Sequence, residues 1–299
     1  MTRLKSIELS GIKMTRYYDR KAVSGQLVSY IPNSYAERTS RPIYALVYLL
    51  GFMVAFMLGT ILIQPSAIKE SLSEPEIRVV AFLWIQNIMQ YLGFSPRAAL
   101  VGTPLVVVVI LLALQVTSKT SWRVKFEDLF LMLGESVLLS IPLIVLSLLL
   151  NRQGAVSNVA IAEHAAGQGT GIQNLLWSDI VTGIGAGIYE ELIFRLILIC
   201  LLMLIFQDLF GIEKKPAVIL SVAISAILFS AHHHIFFANG HLYQGETFTV
   251  GKFAFRAIAG AYFAVLYAVR GFGITAGTHA FYNILAALAR ILLFVAQSE

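Results

Sequence analysis

Long apolar runs with few charged residues recur along the chain after residue 42. Most of them are close to the roughly 20 residues that an α-helix needs to cross the hydrocarbon core of a bilayer. The helices that these runs predict are 43–64, 76–94, 98–117, 129–151, 175–210, 216–234, 252–269 and 273–296. The pattern therefore predicts an all-α fold, a polytopic membrane bundle of about 7–8 helices.

Two of the predicted helices differ from a simple membrane span. In 76–94, the polar residues Gln86, Asn87 and Gln90 interrupt the apolar run at helical spacing, which favours an interfacial or partly buried helix. The run 175–210 would be about 54 Å long at 1.5 Å per residue, too long for one upright span. We expect this helix to kink, to tilt steeply or to extend into the cytoplasm.

The composition supports the membrane assignment and changes how the positive charge is interpreted. Hydrophobic residues make up 58% of the chain and charged residues only 13%, against about 25% charged in an ordinary soluble domain. The net charge of +5 is carried largely by short connecting segments. It therefore indicates orientation in a membrane rather than binding to nucleic acid. The single cysteine, Cys200, excludes an intramolecular disulfide.

The polar connections divide the chain into four parts and predict its orientation. The parts are a polar cytoplasmic segment 1–42, N-terminal membrane helices 43–151, an external loop 152–174 and a membrane core 175–296. If 76–94 does not cross the membrane, the basic connections near Lys119 and Lys214 lie on the same side as the N-terminus. The positive-inside rule then assigns this side to the cytoplasm. Counting 76–94 as a span would instead place Lys119 outside. The first count predicts a multi-pass protein of the cytoplasmic membrane with its N-terminus in the cytoplasm.

Ionisable residues inside the predicted helices mark a functional site, because a charge at membrane depth costs a few kcal/mol. In the longest helix, Glu191 and Arg195 stand at i,i+4 with the acid first, the favourable order for a helical ion pair. Glu190 points about 100° away around the helix, so we expect it to face another partner. The GxxxG spacing of Gly183 and Gly187 predicts close approach of a neighbouring helix.

Two further polar clusters follow on later helices. A run of three histidines ends the helix 216–234, and its second member, His233, lies four residues after Phe229. The last helix carries His279 and Asn283 at i,i+4, on one face. Together the clusters predict a polar cavity inside the membrane bundle.

In chain order the clusters read E-E-x-x-x-R, F-x-x-x-H and H-x-x-x-N. This order resembles the CAAX protease and bacteriocin-processing family of intramembrane proteases, the group of the type II CAAX prenyl endopeptidase, over about 175–296. The resemblance places the family's functional residues on Glu190, Glu191, Arg195, His233, His279 and Asn283. The triple-histidine run departs from the family pattern, so that His232 or His234 could replace His233 by a shift of one residue.

The resemblance implies an intramembrane endopeptidase that needs no metal or other cofactor. Glu190 would act as general base on a water shared with His233, while His279 and Asn283 would donate to the oxyanion. Glu191 and Arg195 would support the site. The expected partners are the lipid bilayer and a membrane-anchored or lipidated peptide, such as a prenylated CAAX-type substrate.

Three other hypotheses remain open at this point. Glu190, His233 and His279 could hold zinc, although the chain lacks the H-E-x-x-H pair of helical zinc sites. The protein could be a catalytically silent membrane scaffold or immunity protein, although such a protein would have no need for these residues. It could also be a small transporter with a proton relay, although the two halves show no matching broken helices.

One geometric difficulty accompanies the predicted site. At 1.5 Å per residue, His279 lies about 13 Å from the cytoplasmic end of its helix, and His233 about 25 Å from Pro216 at the start of its own. Straight, upright helices would therefore separate the two histidines by about 10 Å in depth. Either the helices tilt and break around a cavity, or the predicted boundaries are displaced.

Overall fold

A computed structural model describes residues 31–63, 79–150, 172–238 and 240–298 of the chain. Most of the predicted cytoplasmic segment 1–42 and nearly all of the predicted external loop 152–174 lie outside the described residues.

The described part of the chain is almost entirely helical, as the apolar runs predict. Its α-helices are α1 (Tyr35–Thr39), α2 (Pro42–Ile63), α3 (Val80–Tyr91), α4 (Pro96–Ser118), α5 (Phe126–Leu150), α6 (Ile172–Glu191), α7 (Leu198–Met203), α8 (Lys214–His234), α9 (Val250–Arg270) and α10 (Phe272–Ser298). Within the described ranges, six helical stretches are long and apolar enough to cross a membrane. These findings confirm an all-α, polytopic membrane bundle.

The two unusual runs have distinct structures. Helix α3 has 12 residues, about 18 Å of helix, which is too short to cross a bilayer. The long run is helical from Ile172 to Leu209, but two stretches, Leu192–Ile197 and Leu204–Leu209, are π-helical. The first π stretch begins directly after Glu191, and such wide turns are frequent at functional sites.

A β-hairpin that the apolar pattern did not predict follows the histidine run. Strand β1 (Ile235–Ala238) pairs antiparallel with β2 (His241–Gln244), with Ile235 opposite Gln244. Helix α8 ends at His234 and leads directly into β1. The predicted helix 216–234 thus ends where α8 ends, and the hairpin adds a short two-stranded element to the all-α bundle.

Small residues allow α6 and α10 to pack closely. A Cβ atom added to Gly187 would lie 2.6 Å from the backbone nitrogen of Ala280, and one added to Gly183 would lie 2.6 Å from the Cβ of Asn283. These separations are much shorter than a normal van der Waals contact. The predicted close approach at the GxxxG spacing therefore occurs, and α10 is the partner.

The turn between α9 and α10 is buried, and His233 and His279 lie at the same level, because their Nε2 atoms are 4.0 Å and 3.9 Å from Glu190 Oε2. The Arg270 guanidinium bonds to Glu135 of α5 at 2.7 Å and to Thr39 of α1 at 3.1 Å. Residues 270–280 are all buried. The 10 Å separation expected for straight, upright helices therefore does not occur.

Candidate active site

Three imidazoles surround the Glu190 carboxylate, which is 6% exposed. The Nε2 atom of His232 lies 3.5 Å from Glu190 Oε1. The Nε2 atoms of His233 and His279 lie 4.0 Å and 3.9 Å from Glu190 Oε2. Helices α6, α8 and α10 thus bring together three of the four residues predicted as catalytic, and the partner expected for Glu190 is a cluster of histidines.

The other ring nitrogen of each histidine is already engaged. The Nδ1 atoms of His232 and His233 lie 2.6 Å and 2.9 Å from the carbonyl oxygen of Phe229. The Nδ1 atom of His279 lies 2.7 Å from Glu191 Oε1. Because a carbonyl and a carboxylate accept hydrogen bonds, each Nδ1 carries the proton. In the neutral rings, all three Nε2 lone pairs then face Glu190.

Glu191 has two partners rather than the one predicted. Its Oε2 atom lies 3.1 Å from Arg195 Nε, and both side chains are fully buried. This contact is close but is not aligned as a hydrogen bond. Its Oε1 atom accepts the bond from His279. The predicted ion pair is therefore present, and the same carboxylate also orients the His279 ring.

The Arg195 guanidinium is held by the backbone and by an aromatic ring as well as by Glu191. Its NH2 group donates to the carbonyl oxygen of Gly260 at 3.1 Å. The guanidinium carbon lies 4.1 Å from the centre of the Phe229 ring, within the range of a cation–π interaction. Phe229 is thus more than a spacing marker in the second motif, since it contacts Arg195 and supplies the carbonyl that orients two histidines.

One added proton balances the charge of the buried cluster. Glu190, Glu191 and Arg195 together leave one negative charge in a region of low dielectric, where an uncompensated charge is costly. His279 lies between the two carboxylates, 2.7 Å from Glu191 and 3.9 Å from Glu190. A proton on its Nε2 would neutralise the cluster and turn this atom into a hydrogen-bond donor.

Asn283, the fourth residue predicted as catalytic, makes its hydrogen bond outside this cluster. Its Nδ2 group donates to the carbonyl oxygen of Gly183 at 3.3 Å. Gly183 precedes Glu190 by about two helical turns. One amide N–H of Asn283 therefore holds α10 against α6, and the second N–H remains available to another acceptor.

The structure separates the three members of the histidine run. His234 bonds through Nδ1 to the carbonyl oxygen of Glu246 at 2.9 Å and lies close to the Phe253 ring. His232 and His233 both face Glu190. Motif spacing selected His233 and did not select His232. The Nδ1 atoms of both rings lie near the same Phe229 carbonyl oxygen, so the two adjacent side chains both face Glu190.

Helix α3 contributes an aromatic contact that no motif predicted. The Trp84 ring centroid lies 6.0 Å from that of His232 and 6.1 Å from that of Phe194. The only signal in the sequence for this contact is a Trp within a helix that amide side chains interrupt. It is too general to have located the site.

The donor set also fits a metal ion. Among the described residues, Glu190, His232 and His233 offer ligand atoms within 4.8 Å of one another. The zinc set predicted from the sequence contains His279 in place of His232. Imidazole Nε2 atoms and a carboxylate are suitable zinc ligands, and hydrogen bonds from each Nδ1 to a carbonyl or carboxylate are typical of the groups around such ligands.

The fold and the site together define a class, a polytopic helical membrane protein with a carboxylate–histidine site between its helices. Residues 172–285 match the family model of the type II CAAX prenyl endopeptidase Rce1-like proteins. The matched stretch contains all three motifs, so the resemblance predicted from them is confirmed. This family is one of proteases, and therefore of hydrolases. No curated protein and no solved structure matches the chain.

Proposed function

We propose that the protein is an intramembrane endopeptidase that hydrolyses a peptide bond in a membrane-anchored or lipidated peptide. The observation that carries the proposal is the buried Glu190 carboxylate facing the Nε2 atoms of His232, His233 and His279. A CAAX-type prenylated peptide is the substrate class that the family match favours.

The distances suit a water molecule held between Glu190 and His233. Their atoms lie 4.0 Å apart, too far for a direct hydrogen bond, and one water can bond to both. Glu190 takes a proton from this water, and the resulting hydroxide adds to the carbonyl carbon of the substrate. The proton then passes through Glu190 or His233 to the leaving amine as the peptide C–N bond breaks.

The negative charge that develops on the substrate oxygen needs hydrogen-bond donors. His279 supplies an Nε2–H when a second proton is on its ring, because its Nδ1–H is already held by Glu191. Asn283 supplies the amide N–H that does not bond to Gly183. Donors fixed in place before the reaction stabilise such a charge most effectively.

A zinc hydrolase is the second candidate, favoured by the convergence of Nε2 lone pairs on the Glu190 carboxylate. In this case Glu190 and two of the facing histidines would hold the ion, which would lower the pKa of a bound water and polarise the substrate carbonyl.

The test uses purified protein in detergent and a fluorescent peptide ending in Cys-Val-Ile-Met, with and without a farnesyl group on the cysteine. Mass spectrometry of the products locates the cleaved bond. Wild-type protein should cleave at least one peptide, Glu190→Gln should abolish cleavage, and the exposed control Glu213→Gln should retain it. Cleavage of neither peptide by the wild type, or full activity in Glu190→Gln, would contradict the proposal.

Metal dependence is measured on the same preparation. The glutamate mechanism predicts no stoichiometric metal and little inhibition by EDTA or phenanthroline. About one zinc per chain, with activity lost on chelation and restored by zinc, would instead establish the second candidate.

A further inference from the structure

The β-hairpin follows α8 directly and contacts α3 through its first strand. His232 and His233, at the end of α8, are level with Glu190. On the side where α8 ends, α6 continues for 18 residues from Glu190 back to Ile172, about 27 Å of helix. The candidate membrane span of this helix begins at Leu176. Strands β1 and β2 therefore begin at the level of Glu190, about 21 Å along α6 from Leu176.

The register identifies which backbone groups of β2 point away from β1. Gly245 N donates to His234 O at 2.9 Å, so that this pair is hydrogen-bonded. In an antiparallel ladder, bonded and non-bonded pairs alternate. The Phe237 carbonyl points away from β2, since it accepts from Trp84. The Phe237–Leu242 and Ile235–Gln244 pairs are therefore non-bonded, and the N–H and C=O groups of Gln244 and Leu242 point outward.

The two edges of the hairpin differ in what covers them. On the β1 edge, the carbonyl oxygen of Phe237 accepts a hydrogen bond from Trp84 Nε1 at 2.7 Å. On the β2 edge, all four residues are exposed. Among the described residues, no hydrogen bond to the outward groups of Leu242 or Gln244 is present. An open strand edge presents unpaired N–H and C=O groups that can pair with another chain.

The base of the hairpin is fastened to the candidate active site. Glu246 N donates to His233 O at 2.8 Å, and the Glu246 side chain accepts from Arg256 Nε at 3.0 Å. A Cβ added to Gly245 would lie 2.3 Å from His233 O, so this approach requires glycine. The β2 edge therefore has a defined position relative to His233.

We propose that β2 binds the substrate peptide as a third strand, through the backbone N–H and C=O groups of Leu242 and Gln244. The proposal rests on the proposed function and adds the mode of substrate binding to it. Strand addition supplies main-chain hydrogen bonds, and alternate side chains supply specificity. A peptide bound at this edge leads toward His233, because Gln244 lies opposite Ile235, two residues after that histidine.

One face of the hairpin carries Leu242 and Gln244, and its other side chains indicate which residues the bound peptide should contain. Ile235, Phe237 and Leu242 are 57%, 59% and 71% exposed and lie on one face. Alternate side chains of an added strand would contact this face. The bound peptide is therefore expected to be extended and to carry apolar residues at alternate positions.

The test is a scan of backbone N-methylation along the farnesylated peptide and its unlipidated form. Affinity is measured by fluorescence anisotropy on Glu190→Gln protein, so that binding is separated from turnover. N-methyl groups that face β2 should raise Kd several-fold to about tenfold, as expected for the loss of one hydrogen bond. Methyl groups at the positions between them should have much smaller effects.

A protein variant tests the same edge from the other side. In the Glu190→Gln background, Gln244→Pro removes the outward N–H, and Gln244→Ala keeps it; proline is tolerated on an edge strand at such a position. Gln244→Pro should bind several-fold more weakly than Gln244→Ala. A uniform or absent N-methyl effect, with equal Kd for the two variants, would overturn the strand proposal.

The two proposals fail separately. If the wild type cleaves the peptide and the N-methyl scan shows no alternation, strand addition is wrong and the endopeptidase proposal stands. If binding alternates and the wild type cleaves neither peptide, the strand site stands and the endopeptidase proposal is wrong.

Discussion

At the residue scale, the two adjacent glutamates differ because the helix points them at different neighbours. Glu191 is fully buried between Arg195 and His279, whereas Glu190 faces three imidazole nitrogens without a direct short bond to any of them. A carboxylate with its charge already paired is a poor base. The unpaired one retains the capacity to take a proton from water.

Replacing Glu191 should mainly affect stability. Glu191→Gln leaves the buried Arg195 charge without its partner and weakens the bond that orients His279. Removing one member of a buried pair typically costs about 3–5 kcal/mol. Thermal unfolding in detergent should show a clearly lowered Tm relative to the exposed control Glu213→Gln. An unchanged Tm would show that Arg195 does not depend on this carboxylate.

The histidine run offers a direct comparison of three adjacent side chains. His233 is 19% exposed and His232 only 5%, so His233 is the more accessible to water and substrate. We expect His233→Ala to lower kcat by about 10²–10⁴, the usual range for a proton-transfer group. His232→Ala should have a smaller effect, and His234→Ala the smallest on kcat. If kcat falls most in His232→Ala, the assignment by motif spacing is wrong.

Asn283 distinguishes the two candidate mechanisms. If Asn283 donates to the oxyanion, Asn283→Ala should lower kcat by about 10²–10³. With zinc activating the water, the same change should be much milder. Because Asn283 also bonds to Gly183, Tm is measured in parallel to separate a loss of packing from a loss of catalysis.

At the element scale, the apolar runs predicted where the spans begin and end, because crossing a membrane requires long uninterrupted helix. The π-helical stretch after Glu191 has no equivalent signal, since its composition is that of the surrounding helix. For the hairpin the sequence does contain a signal, the Asn239-Gly240 dipeptide, which favours two-residue turns. The strands have only four residues each, and His241 and Gln244 of β2 are polar, so these stretches were too short to separate strand from helix by periodicity.

The glycines of α6 provide a stability test at this scale. Gly187→Ala would place a methyl group 2.6 Å from Ala280 N and 2.8 Å from Ala276 O. Both contacts are backbone atoms, so α6 and α10 must separate, and we expect a loss of about 1–3 kcal/mol or more. Gly134→Ala is the matched control, because nothing lies within 4 Å of its added Cβ. Equal Tm values for the two variants would contradict the packing of α6 on α10.

At the scale of the whole molecule, partly buried polar contacts connect the family-matched stretch to the preceding helices. Arg270 bonds to Glu135 of α5, and Tyr35 of α1 donates to the same carboxylate at 2.7 Å. These contacts join residues far apart in sequence, so no local pattern predicts them. Through these contacts, helices without recognisable motifs stabilise the stretch that carries the motifs.

Orientation in the membrane is the last property that this architecture predicts. The end of the bundle that holds the α4–α5 and α7–α8 connections carries Lys119, Lys125, Lys214 and Lys215, which the positive-inside rule places in the cytoplasm. The predicted external loop 152–174 lies almost entirely outside the described residues. In a Cys200→Ser background, single cysteines at Ala160 and Ser121 would be labelled from outside intact cells with a membrane-impermeant maleimide. Ala160→Cys should be labelled and Ser121→Cys should react only after the membrane is permeabilised. The reverse pattern would place the basic connections and the N-terminus outside the cell.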